Sequence, residues 1–92
     1  MWVDPLELAT VRGLVDLAGK RVLEIGCGDG RFTYLYARDT QYVLGVDPER
    51  DEIQRARRDR PAELAKRVRF RVAKTISVPR RRFDVALFSW SL

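Results

Sequence analysis

Apolar positions along this chain change period several times, and each change marks an element. Leu8, Val11, Val15 and Ala18 recur at helical spacing, with Leu6, Leu14 and Leu17 widening the stripe. This predicts an amphipathic helix opened by Asp4-Pro5 and stopped by Gly19. Arg21 to Ile25 then reads as a strand. Phe32, Leu35 and Tyr36 give an apolar side to a helix that starts at Asp29 or Gly30 and continues to about Arg38. Tyr42 to Val46 is a second strand. After it, Asp47-Pro48 repeats the cap-and-proline signal, predicting a helix with Asp51 and Arg55 one turn apart and with Ile53 and Ala56 facing inward. Pro61 breaks that helix and leaves a short helical turn around Ala62 to Lys66.

Val68, Phe70 and Val72 alternate with arginines, a half-exposed pattern suited to the outer edge of a sheet. Phe83 to Phe88 is nearly continuous in apolar character and reads as a fourth strand buried on both faces. Strands that alternate with helices imply an α/β fold, a Rossmann-like parallel sheet with right-handed crossovers. The expectation is one domain over 1–92, with an N-terminal helix over 1–19 and the sheet core over 20–92.

Composition narrows the chemistry. A chain of 92 residues with 46% apolar and 34% charged positions belongs to the globular class. The absence of histidine excludes histidine general-base chemistry and histidine metal sites. A single cysteine, Cys27, forms no disulfide within the chain and fits a reducing, cytoplasmic compartment. No apolar run approaches the ~20 residues of a membrane helix, and the first residues lack the basic start of a secretion signal. The net charge is +5, with arginines gathered at Arg55, Arg57, Arg58 and Arg60 and at Arg80 to Arg82. Asp51, Glu52, Asp59 and Glu63 interleave with the first group, so a solvated, salt-bridged helix face explains it more simply than a phosphate grip. The second group reads as a wet turn.

The candidate site lies between the first strand and the helix after it. Gly26, Gly28 and Gly30 occupy that turn, where a side chain would force the backbone away from a ligand or demand positive φ, and the helix start beyond offers free N–H groups. Glu24 stands just before the turn, placed to orient an ammonium directly or through water. Asp47 ends the neighbouring strand, where a carboxylate accepts from both hydroxyls of a ribose. Taken singly, each has a plain structural explanation: tight-turn glycines, a helix cap at Asp47, a small buried residue at Cys27. Together they point to a nucleoside-bearing cofactor. The dinucleotide fingerprint requires glycine where this chain has Arg31, so the pattern is E-x-G-x-G-x-G instead.

On these residues the chain resembles the class I S-adenosylmethionine-dependent methyltransferases. Glu24 to Gly30 is similar to their first motif and Gly45-Val46-Asp47-Pro48 to their second, and the resemblance continues through Val68 to Ala73 and Phe83 to Leu87. It implies S-adenosylmethionine as cofactor, with Gly26, Cys27 and Gly28 against its methionine part, Gly30 in the same turn, Glu24 near its amino group, Asp47 on the ribose and Pro48 beside the adenine. Lys74 stands where many relatives carry an acid that accepts from the adenine amino group, and an ammonium cannot accept. Ser89 and Trp90 fall at the end of the fourth strand, near the transferred methyl group.

The resemblance further implies a small-molecule methyl acceptor. The segment Ser89-Trp90-Ser91-Leu92 lacks the Asn/Asp-Pro-Pro-aromatic signature of amino-methylating nucleic-acid enzymes. It also implies additional strands and helices after the fourth strand, whereas this sequence stops at Leu92. The expectation is therefore a truncated, cofactor-binding half whose apolar fourth strand pairs with a second copy or a companion chain. A noncatalytic cofactor-binding or assembly module is the alternative, and an arginine face for RNA a weaker third.

Overall fold

The structure, a computed structural model, describes residues 17–74 and 82–89. The expected N-terminal helix falls almost wholly outside the described residues, as does Trp90. Ala18 and Gly19 form a turn closed by the Lys20 N–H on the Leu17 carbonyl.

Four parallel strands make one sheet: β1 (Arg21–Ile25), β2 (Tyr42–Asp47), β3 (Val68–Val72) and β4 (Val85–Phe88), in spatial order β3-β2-β1-β4. Between them run α1 (Arg31–Tyr36), which tightens into a 3₁₀ turn over Ala37–Asp39, and α2 (Arg50–Asp59), followed by a 3₁₀ turn over Ala62–Leu64. The alternating arginines of β3 do place it at a sheet margin. Its buried Val68 and Phe70 face the helices while Arg69 and Arg71 do not.

Period-2 alternation in β1 and β2 sends side chains to two cores. Val22, Val43, Val68 and Leu87 meet Phe32, Tyr36, Ile53, Ala56 and Leu64 from the helices, and Phe32 and Tyr36 touch edge to face. Ile53 and Ala56 are fully buried, as their spacing predicts. Burying a side chain such as Ile53 contributes about 1.5–3 kcal/mol. On the opposite face Leu23, Ile25, Leu44 and Val46 form the second cluster, with Tyr42 and Phe83 stacked near the entering ends of β2 and β4. Arg21 joins β1 to the approach of β4. Its guanidinium lies 3.1 Å from Asp84, its N–H donates to the same carboxylate, and this pairing holds the Asp84 carboxyl down at about 2.

Three expectations are corrected. Leu35 is 47% exposed, because Phe32, Thr33 and Tyr36 are the residues of α1 that the sheet buries. The second helix begins at Arg50 with Glu49 as N-cap, since Asp47 is still in β2 and spends its carboxylate elsewhere. The fourth strand is shorter than expected and is not buried on both faces: Leu87 is buried, Ala86 is exposed, and among the described residues β4 lies at the second margin of the sheet.

Candidate functional site

The turn leaving β1 is built against the end of β2. Gly26 and Cys27 both donate their backbone N–H to the Val46 carbonyl, at 2.8 and 3.1 Å, which draws the turn over the neighbouring strand. Gly26, Gly28 and Gly30 adopt φ of 78°, 57° and 88°. That left-handed conformation is costly for any side chain, roughly 1–2 kcal/mol per residue. At Gly30 a Cβ would also sit 2.9 Å from the Tyr34 ring and 3.0 Å from Phe70, so the glycine admits both aromatic rings.

Asp47 and the turn meet directly. The Gly28 N–H donates to Asp47 Oδ2 at 3.0 Å and the Glu49 N–H to Oδ1 at 2.9 Å. Asp47 as a whole is 7% exposed. Each of its oxygens accepts one backbone bond in these contacts and retains a lone pair, so the group fits a ligand that presents two hydroxyls. This is the pair of acceptors that the two hydroxyls of a nucleoside ribose require. Gly26, Gly28 and Gly30, although close in sequence, would carry no such meaning had the fold placed Asp47 elsewhere.

Glu24 has a different environment from the one its motif suggests. Its side chain is fully buried on the helix face of β1. Thr33 Oγ1 donates to Glu24 Oε1 at 2.7 Å, Tyr36 Oη donates to the same oxygen at 2.6 Å, and the Ser89 hydroxyl donates to Oε2. Burial raises the Glu24 carboxyl, while these three hydrogen bonds pull it back down. A carboxylate held this way has no exposed surface for an ammonium, and it instead joins β1, α1 and the end of β4.

The remaining candidates are spread around the turn. Cys27 is buried, with its thiol raised by desolvation and then by Glu24 and Asp47, and its side chain packs in the core on the helix side of the sheet. Pro48 is exposed just after Asp47, and Lys74 is exposed beyond the end of β3. Ser89 is buried; its N–H donates to the Ile25 carbonyl at 2.9 Å, so both its groups bond to β1. Gly26, Cys27, Gly28, Gly30, Asp47 and Pro48 are thus neighbours on the chain and at the exit ends of β1 and β2. Glu24 and Ser89 form a second set beneath them.

Thr33 is absent from the sequence expectations, and Tyr36 and Gly45 have roles there other than the ones the fold gives them. A Cβ on Gly45 would lie 2.9 Å from Phe70 and 3.0 Å from Cys27 Sγ, so this β2 glycine lets the turn and β3 close over it. The signal for the two hydroxyl residues was available: an acid in the middle of an apolar strand requires donors, and Thr33 and Tyr36 lie one turn apart on the helix that follows.

Comparison with known proteins gives the chain a family. The methyltransferase domain family matches residues 16–92. The ubiquinone biosynthesis O-methyltransferase of Bradyrhizobium diazoefficiens is 40% identical over 78 residues, which are 84% of this chain and 30% of that protein. The enzyme of the same name from Neisseria meningitidis serogroup A is 39% identical over 56 residues, 60% of this chain and 24% of its own length. Among solved structures, an S-adenosylmethionine-dependent methyltransferase from Thiobacillus denitrificans, in complex with S-adenosylhomocysteine, superposes with a TM-score of 0.73 at 31% identity, covering 92% of this chain and 36% of that one. The chain therefore spans about a quarter to a third of these curated relatives. With its parallel sheet, its glycine turn and an acid closing the second strand, the chain belongs to the methyltransferase domain family, in the class I fold.

Proposed function

We propose that this chain is the cofactor-binding portion of an S-adenosylmethionine-dependent methyltransferase with a small-molecule acceptor. The observation that carries the reading is the meeting of Asp47 with the Gly28 N–H, which brings a two-oxygen acceptor to the mouth of a left-handed glycine turn. In this reading Asp47 holds the ribose hydroxyls and Pro48 borders the adenine. Gly26, Cys27, Gly28 and Gly30 admit the methionine part by close backbone approach. Lys74 can donate near the adenine but cannot accept from its amino group. Glu24 serves from below, by fixing Thr33, Tyr36 and Ser89 around the turn. The O-methyltransferase relatives support a small-molecule acceptor, and the single buried thiol fits a cytoplasmic setting.

When bound, S-adenosylmethionine supplies an activated methyl group on its sulfonium. The protein's own work is then alignment and exclusion of water, which this histidine-free chain is able to perform. Isothermal calorimetry with S-adenosylhomocysteine tests the reading. Wild type should bind, and Asp47→Ala should weaken binding by about tenfold or more, the equivalent of ~1.4 kcal/mol. Absence of binding, or equal affinities, overturns it.

A further inference from the structure

Folding sorts the arginines in a way that the sequence hides. On α2, Arg55 is paired with Glu52 and Arg58 with Asp59. Arg57 and Arg60 turn the other way. Arg57 donates to the Phe70 carbonyl and Arg60 to the Val68 carbonyl, each at 2.8 Å, so both guanidiniums lie along β3 at the margin of the sheet. From Leu64 to Lys74 the chain carries Lys66, Arg67, Arg69, Arg71 and Lys74 and not one carboxylate.

Strand register then assembles a site. Arg69 stands beside Leu44 and Arg71 beside Val46, on the sheet face away from α1 and α2. Being two residues apart on one strand, they are spaced by roughly 6.6 Å. A cleft of about 590 Å³ opens there, and Arg21, Arg57, Arg69, Arg71 and Arg82 all line it. Tyr42 and Phe83, stacked on each other, form part of its wall. Among the described residues no carboxylate lines it, and Asp84 next to the cleft pairs with Arg21.

So many guanidiniums around one cleft repel one another and favour a shared polyanion. Arginine's planar fork suits phosphate oxygens, and aromatic walls suit bases. The strand sets its cations in a line, as an extended nucleic-acid strand sets its phosphates. We propose that the β3 margin and this cleft bind single-stranded nucleic acid through its phosphate backbone. The proposal is independent of the cofactor reading. The cleft starts at Arg21 and Phe83, at the entering ends of β1 and β4, and only its Arg71, beside Val46, reaches towards the exit ends where the glycine turn lies.

Fluorescence anisotropy with a labelled single-stranded RNA oligonucleotide, across a salt series, tests it. Wild type should bind, with log affinity falling linearly in log salt. The double variant Arg69→Gln/Arg71→Gln should weaken binding by about tenfold and lower the slope by about 1.4, or ~0.7 for each phosphate no longer neutralised. Arg55→Gln/Arg58→Gln removes the same charge from salt bridges on α2 and should leave both quantities unchanged. Circular dichroism confirms the fold of each variant, and all four substituted residues are exposed. Absence of binding at low salt, equal losses in the two double variants, or displacement of the RNA by an equal charge of polyglutamate would each overturn the proposal. The last outcome would assign the cleft to an acidic protein partner.

Discussion

Ser89 on the end of β4 and Glu24 in the middle of β1 are joined by a buried hydrogen bond, the serine hydroxyl donating to the carboxylate. The residues are distant in sequence and adjacent in the fold. Because Thr33 and Tyr36 donate to the other oxygen, this one acid connects two strands and the helix between the glycine turn and β2. The acid of the first motif thereby becomes the point that fixes what surrounds the glycine turn.

Removing the acceptor should therefore cost more than one hydrogen bond. Glu24→Ala leaves the hydroxyls of Thr33, Tyr36 and Ser89 without their acceptor in a buried space, at about 1–3 kcal/mol for each group left unsatisfied. Glu24→Gln keeps an acceptor for Thr33 and Tyr36 and offers Ser89 a donor, so its loss should be only about 1 kcal/mol. Urea unfolding of the two variants checks this ordering. Equal losses would show that the amide does not replace the carboxylate as the acceptor that Thr33, Tyr36 and Ser89 share.

The same site sets a pH dependence with a definite sign. Burial, the largest influence, raises the Glu24 carboxyl in the fold above its ordinary 4.5. The folded state then holds the proton more tightly than the unfolded chain does. This contribution to stability is fully present below about 4.5 and is lost as pH climbs through the raised folded value. Asp84, lowered to about 2 by Arg21, acts in the opposite sense and only at more acid pH. Unfolding free energies measured upward from pH 4.5 should decline in wild type relative to Glu24→Gln. A constant difference between the two across that range would refute the assignment.

The parts of this fold that depend on local signals were legible in the sequence. Ile53 and Ala56 at helical spacing marked the buried side of α2, and Val68, Phe70 and Val72 marked a marginal strand. Gly26, Gly28 and Gly30 marked the left-handed turn after β1, because positive φ restricts those positions to few residue types, and Asp47 marked the end of β2. What misled was anything decided by a distant partner. Asp47-Pro48 carries the signal of a helix cap, yet the Gly28 and Glu49 N–H groups claim the carboxylate and α2 starts later. Phe83 to Phe88 has the apolar run of an interior strand but occupies a margin of the described sheet, which no property of those residues dictates. The interleaved charges of α2 suggested one salt-bridged face, and only the position of β3 separates Arg57 and Arg60 from Arg55 and Arg58.

Gly45 offers a test of close packing without a conformational argument. Added at this position, a methyl group would meet Phe70 at 2.9 Å and Cys27 at 3.0–3.1 Å, in a strand held on both sides by β1 and β3. Gly45→Ala should destabilise the fold by about 1–3 kcal/mol, the usual cost of an overfilled core. Combining it with Phe70→Leu should recover part of that loss in thermal melts. A double variant that is worse than the sum of the singles would mean that Phe70, rather than the space beneath it, matters.

The two margins of the sheet are unequal, and this leads to a prediction about association. Along β3 the Val68 and Phe70 carbonyls already accept from Arg60 and Arg57, and the charged side chains obstruct an approaching strand. Along β4, Val85 to Phe88 offers apolar side chains with exposed Ala86 among them, and the described residues supply no strand on its outer side. An apolar margin of this kind favours pairing with another chain, so self-association should proceed through β4 and not through β3. Light scattering over a concentration series should show mass above the monomer, and Ala86→Lys should return it towards the monomer by placing a charge on that margin. A wild-type protein that stays monomeric throughout, or an Ala86→Lys variant that associates as strongly, would locate the cover of β4 within the chain itself.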